Sequence, residues 1–219
     1  MKDRGYSFTL VVLAALFCVA LVTSNIIAGK LFLAPAGVIL PAAVWLFPIV
    51  YIIGDVIPEV YGLAVARRVI FLGFAANLLA VAFFALTLAL PAPGFWQGQA
   101  AFVSVLGFTP RLLIASFVGY LVGTNANALV LVLIKKWTHG RWLWMRTIGS
   151  TIIGEGLDSA CFITIAYWGM VPPTVLPSMI LAQASFKTAY EALATPLTYA
   201  VIGAVKRAEG GAPMDATVL

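Results

Sequence analysis

Long stretches without a single charge follow one another along the chain, separated by short groups of charge, proline and glycine. The first extends from Gly5 to Gly29. It is too long for the apolar core of a cleaved signal. Phe17 ahead of Cys18 does not suit a lipoprotein site either, so the run is read as a helix over about 7–29. After Ala34-Pro35-Ala36-Gly37 a second helix is expected over about 38–57. From Val69 to Pro110 there is again no charge. One helix cannot account for it, because a membrane span takes roughly 20 residues. The run must break, and Pro91-Ala92-Pro93-Gly94 supplies the break, because proline removes a backbone donor and glycine permits the turn. That leaves a third helix over about 69–90, then further helices over about 111–134, 148–170 and 175–205, the last two parted by Pro172-Pro173.

The short piece at 95–109, rich in aromatic residues and glutamine, is either a re-entrant or interfacial segment or a seventh span. Charge decides. With six spans and a cytoplasmic N-terminus, Lys2, Arg4, Arg67, Arg68, Lys135, Lys136, Arg141, Arg146, Lys206 and Arg207 fall inside, and only Lys30 and Arg111 outside. A seventh span would turn the basic 135–146 loop outward. The expectation is therefore an all-α polytopic membrane protein with six transmembrane helices, both termini cytoplasmic, and a re-entrant or interfacial segment between helices 3 and 4. Residues 1–219 form one transmembrane domain, with 206–219 a flexible cytoplasmic tail.

Composition agrees: 63% of the 219 residues are hydrophobic, 10% are charged, and the mean hydropathy is +1.05. Such a mix excludes a soluble enzyme. The formal charge of +5 is dispersed over several loops, so no nucleic-acid surface is expected. The partners expected are lipids and a small molecule, with pairing to a second copy left open. Cys18 and Cys161 are too far apart for a CxxC site and read as packing residues. Trp96, Trp137, Trp142 and Trp144 suit the headgroup level.

Ionisable groups at lipid depth cost roughly 2.5–3.5 kcal/mol each even on an insertion scale, so each demands a partner, a cavity or a function. The second helix carries Asp55 and Glu59, the fifth Glu155 and Asp158, the sixth Gln183, Lys187 and Glu191 at intervals of four. Glu155 and Asp158 share a helix face and should repel. Protonation of one of them, a cation or a donor-rich ligand between them, or an ion pair with Lys187 or Arg111 would relieve them. Lys187 and Glu191 could also satisfy one another along their helix. Asn25 with Thr23 and Ser24, Asn77, Asn125 and Asn127 add neutral groups that collectively suggest a polar cavity. Acids in it outnumber bases, which favours a ligand with many N–H donors or a positive charge. A guanine-like base fits, with Trp45, Phe47, Tyr51 and Tyr190 as candidate stacking platforms. Three helices in each half, with an acidic pair on the second helix of both, are compatible with an inverted repeat.

Several motifs carry a family resemblance: S-N-I-I-A-G-K-L at 24–31, F-P-I-V-Y-I-I-G-D-V-I-P-E-V-Y-G at 47–62, A-R-R at 66–68, P-R at 110–111, R-T-I-G-S-T-I-I-G-E-G-L-D-S at 146–159, and K-x-x-x-E followed by T-P-L-T-Y at 187–199. In this order, over nearly the whole chain, they resemble the bacterial queuosine precursor transporters. The resemblance implies six helices, a bacterial inner-membrane location, and uptake of the 7-deazaguanines preQ0 and preQ1, without cofactor or metal. By motif it implies functional roles for Asn25, Asp55, Glu59, Arg111, Asn127, Glu155, Asp158, Gln183, Lys187 and Glu191. Where a G-E-F-x-N-like stretch is expected, this chain has Gly123-Thr124-Asn125-Ala126-Asn127, lacking the acid and the aromatic.

The alternative is a substrate-binding subunit of an energy-coupling-factor importer, which would need a partner ATPase, since the chain has no phosphate-binding G-x-x-x-x-G-K-[ST] motif. An intramembrane enzyme is disfavoured: His139 is the only histidine and lies in a polar loop, leaving no nucleophile and base set.

Overall fold

The structure, a computed structural model, describes residues 7–138 and 143–210. Lys2, Arg4, His139, Arg141, Trp142 and residues 211–219 of the expected tail lie outside the described residues, as do the side chains of Lys135, Trp144 and Arg146. Helix α1 spans Phe8–Ile27. Its first turn is capped by the Ser7 hydroxyl, which accepts from the Leu10 amide at 3.1 Å and so satisfies one of the free donors of a helix start.

The chain then departs from expectation. Where the second helix should begin, Leu31–Leu33 (β1) pairs antiparallel with Ile39–Pro41 (β2), and a 3-10 turn at Ala42–Trp45 follows. Proline explains the difference. Pro41 biases Leu40 toward extended backbone, and Pro48 belongs to the first turn of a helix, where its missing N–H costs nothing. Helix α2 is accordingly only Phe47–Tyr61. At the standard helical rise that is roughly 22 Å, short for a span. It ends at Gly62, whose φ of 86° turns the chain so tightly that α3, Leu63–Ala89, starts at the next residue. Arg67 and Arg68, expected in a loop, are therefore on the helix.

After the Pro-Ala-Pro-Gly break, α4 (Gln99–Leu106) is a two-turn helix with no buried residue, tethered to the end of α3 by Gln99, which donates to the Leu88 carbonyl at 3.2 Å. Helices α5 (Thr109–Trp137), α6 (Leu143–Tyr167) and α7 (Leu176–Ala208) complete the molecule. Residues 206–208, assigned from sequence to the tail, continue α7. Among the described residues four helical segments are long and apolar enough to cross a membrane: Phe8–Ile27, Leu63–Ala89, Gln99–Ile134 and Ile148–Tyr167. The protein is thus a mostly helical, multi-pass membrane protein.

Two apolar clusters hold the bundle. One joins Leu10 and Phe17 of α1, Ile53, Val56 and Val60 of α2, Val69 of α3 and Val205 of α7. The other joins Ala28, Leu112, Ile163, Ala166, Tyr167 and Met179 near the opposite ends of α6 and α7. Along α7, Met179 belongs to one cluster and Val205 to the other, and the polar positions Gln183, Lys187 and Glu191 lie between them.

Candidate functional site

Between the two clusters lies a cavity of about 390 Å³. Small-molecule sites usually measure roughly 300–1,000 Å³, so this one is of the right size. The acids and the single ammonium that line it come from three helices: Asp55 from α2, Glu155 and Asp158 from α6, and Lys187 and Glu191 from α7.

Glycine makes this possible. A Cβ on Gly123 of α5 would come within 2.7 Å of the Asp158 Cβ and 2.9 Å of the Gly154 carbonyl oxygen, and one on Gly154 within 2.8 Å of the Asn127 Cβ. Small residues let α5 and α6 approach backbone to backbone, the usual way for membrane helices to associate where lipid is as apolar as the side chains. That contact sets the position of Asp158 on one side and Asn127 on the other.

Lys187 resolves the like-charge conflict on α6. Its ammonium pairs with Asp158 and stands 3.2 Å from Glu155. The ring of Phe47 lies 5.2 Å from that nitrogen and the ring of Tyr51 lies 6.0 Å from it. Both rings are within cation–π range. The Tyr51 hydroxyl donates to Glu155 at 3.4 Å, so α2, α6 and α7 meet at one ion-paired centre. The pairing of Lys187 with Glu191 that spacing allowed does not form.

On the α1 side, Asn25 donates to Asn77 of α3 at 2.9 Å and accepts from Ser116 of α5 at 3.3 Å. These are ordinary interhelical links, yet all three residues line the cavity. Other groups there are unsatisfied: the side-chain oxygens of Ser24, Asn127 and Gln183 are buried with no hydrogen-bond partner. Gln183 is the extreme case, with 1% of its surface exposed. Among the described residues neither Asp55 nor Glu191 has an ion pair or side-chain hydrogen bond. No group of three or more His, Cys, Asp or Glu side chains in the described residues is arranged to hold a metal ion.

Nine of the twelve positions singled out from sequence line this cavity: Asn25, Tyr51, Asp55, Asn127, Glu155, Asp158, Gln183, Lys187 and Glu191. Trp45, Glu59 and Arg111 do not. Trp45 is 68% exposed in the 3-10 turn, its ring 6.2 Å from that of Phe32. Glu59 pairs with Lys206 at 2.6 Å at the end of α2, both side chains half exposed. Arg111 donates from Nε to the Ile165 carbonyl at 2.5 Å and from Nη2 to the Trp168 carbonyl at 2.6 Å. It caps the C-terminal end of α6, where carbonyls lack helical partners and the dipole favours a cation. Conversely Ser116, Tyr120, Phe74 and Phe162 line the cavity and were not singled out. Only the polar spacing of Ser116 and Tyr120 on the fourth predicted span could have flagged them.

Residues 41–201 match the family model described as "Putative vitamin uptake transporter". The chain belongs to that family. The matched span carries α2 to α6 and reaches into α7, hence every acid of the cavity. The family is one of carriers, not enzymes. The "Probable queuosine precursor transporter" of Bacillus subtilis (strain 168) is 29% identical over 148 residues, 67% of this chain and 64% of its own length. The "Queuosine precursor transporter" of Escherichia coli (strain K12) is 30% identical over 122 residues, 56% of this chain and 52% of its own length. The chain thus spans less than two thirds of either relative. No solved structure matches it.

Proposed function

We propose that this protein imports queuosine precursors, the 7-deazaguanines preQ0 and preQ1, across the bacterial inner membrane by binding them in the cavity that α1, α2, α3, α5, α6 and α7 line together. The observation that carries the reading is a pair of unmatched acceptors lining the cavity: Gln183 and Asn127 each bury a side-chain oxygen without a donor. A buried acceptor left unpaired costs about 1–3 kcal/mol, so a ligand that brings N–H groups recovers that cost on binding. A 7-deazaguanine offers a ring N–H and an exocyclic amine on one edge, which the two amide oxygens can accept. Phe74 and Phe162 add apolar surface to the same cavity.

In this reading the chain crosses the membrane six times with both ends inside. Supporting it, the Glu59–Lys206 pair and the hydrogen bond from Tyr61 to Glu209 at 2.9 Å gather the ends of α2 and α7, and Ser7 hydrogen-bonds Tyr61, bringing the start of α1 to the same end. Arg67, Arg68, Lys206 and Arg207 belong to that end and Lys30 and Arg111 to the other, the asymmetry that the positive-inside rule favours. The family description and the names of the two relatives point the same way.

The test is uptake in a bacterial host that cannot make queuosine precursors and lacks energy-coupling-factor subunits. Expression of the chain with preQ0 or preQ1 in the medium restores queuosine in tRNA. Failure to restore it with either base, despite correct insertion, refutes the reading.

A further inference from the structure

Resting on that function, we propose that Asp55 and Glu191 form a cation subsite within the cavity, which receives the ammonium of an amine-bearing base and makes the carrier prefer charged over neutral precursors. Four carboxylates and one ammonium line the cavity. The ammonium is committed: Lys187 is held by Asp158 and Glu155 on α6, with Phe47 and Tyr51 against it. Two acids on two helices are left over. Asp55 of α2 and Glu191 of α7 have no cationic partner among the described residues, and Glu191 lies in the negative field of both Asp55 and Glu155. Two uncompensated carboxylates that line one cavity attract a positive charge brought into it.

A second observation points to a ligand in the same cavity. Gln183, two turns before Glu191 on α7, is buried to all but 1% of its surface, yet its Oε1 accepts from nothing. Gln183, Lys187 and Glu191 recur every four residues, so they share one helix face over roughly 12 Å of axial rise. A bicyclic base whose donors satisfy Gln183 would extend its substituent along that face toward Glu191 and Asp55. An aminomethyl group, positively charged at neutral pH, matches the two carboxylates. A nitrile at the same place brings neither charge nor donor, and leaves them unpaired.

Equilibrium binding of preQ1 and preQ0 to the purified full chain in lipid nanodiscs, alongside uptake, tests this for wild type, Asp55→Asn and Glu191→Gln. The wild type binds preQ1 about tenfold or more tighter than preQ0, and each variant loses about tenfold for preQ1 but less than about threefold for preQ0. Retained preQ0 binding also shows that the variants are folded. Equal losses for both bases, or unchanged preQ1 binding, overturn the subsite while leaving the transport function standing. Intact binding of both bases with lost uptake assigns the two acids to proton or ion coupling and likewise overturns it. If the wild type binds neither base, the transport function itself fails and the subsite with it.

Discussion

Lys187 on α7 and Asp158 on α6 form an ion pair across the centre of the bundle, with Glu155 3.2 Å from the same ammonium. Both α6 acids are mostly buried, with about a fifth of each side chain exposed, and Lys187 even more so. Removing one partner of such a pair strands the others. Lys187→Met is expected to destabilise the protein by about 3–5 kcal/mol and to abolish uptake. Adding Glu155→Gln and Asp158→Asn to it restores the thermal midpoint, since neither α6 acid is left as a stranded charge, without restoring uptake. Thermal unfolding in detergent paired with transport assays checks both halves. A triple variant no more stable than the single one contradicts the ion-pair account.

The glycine contact between α5 and α6 is expected to be intolerant of even one methyl group. Gly123→Ala forces a Cβ to within 2.7 Å of the Asp158 Cβ and 2.9 Å of a backbone oxygen, so the helices must separate. A loss of about 1–3 kcal/mol in stability and a fall in uptake of about tenfold are expected. Gly156→Ala on the same helix as Asp158 is the control, because nothing lies within 4 Å of its added Cβ. It leaves the midpoint unchanged or slightly raised, as alanine favours the helix over glycine.

Arg111 acts on structure. Arg111→Ala removes two charge-assisted hydrogen bonds from the end of α6. Stability should fall by about 1.5–3 kcal/mol. Affinity of the folded fraction for the transported base changes by less than about twofold. A selective affinity loss with an unchanged unfolding midpoint would show Arg111 to touch the ligand.

Glu59 and Lys206 form an exposed pair at the end of α2. Such pairs are worth about 0–1 kcal/mol. Glu59→Gln therefore leaves uptake within about twofold of wild type, in contrast to the loss of preQ1 binding expected at Asp55, one helical turn away. Parallel transport measurements on the two variants make the comparison.

The end of α7 carries a pH signature. The Ser7 hydroxyl, with Tyr61 and Thr9, outweighs partial burial and holds the Glu209 carboxyl below its usual range. A carboxylate so lowered stabilises the contact above its ordinary pKa, and that contribution is lost as pH falls through the lowered value. The protection factor of the amides in the last turn of α7, taken against their intrinsic exchange at each pH, should be high at neutral pH and fall on acidification. Glu209→Gln removes that pH dependence.

Much of the site was legible because lipid makes polarity conspicuous. Gln183, Lys187 and Glu191 stand out in an apolar helix, and their spacing of four places them on one face wherever that helix packs. Asp55 and Glu59 show the limit. They too are four apart on one face, but four residues of helical rise carry Glu59 roughly 6 Å further along the axis. That takes it past Pro58 and out of the cavity to the end of the helix. Pro48 shows another limit: a proline in an apolar run reads equally as helix interior or helix start, and only the pairing of β1 with β2 ahead of it decides.

Sequence alone determined that this chain lives in a membrane, where its apolar runs break, and which buried groups must find partners, because these follow from the cost of polar atoms in hydrocarbon, position by position. Only the tertiary structure decided who those partners are. Lys187 chose the α6 acids over Glu191, Arg111 a helix end over the cavity, and Asp55 and Glu191 were left facing open space. The reason is geometric. An ion pair acts over about 4 Å, here between helices far apart in sequence. The glycine contact that brings α6 against α5 exists only once the helices have packed.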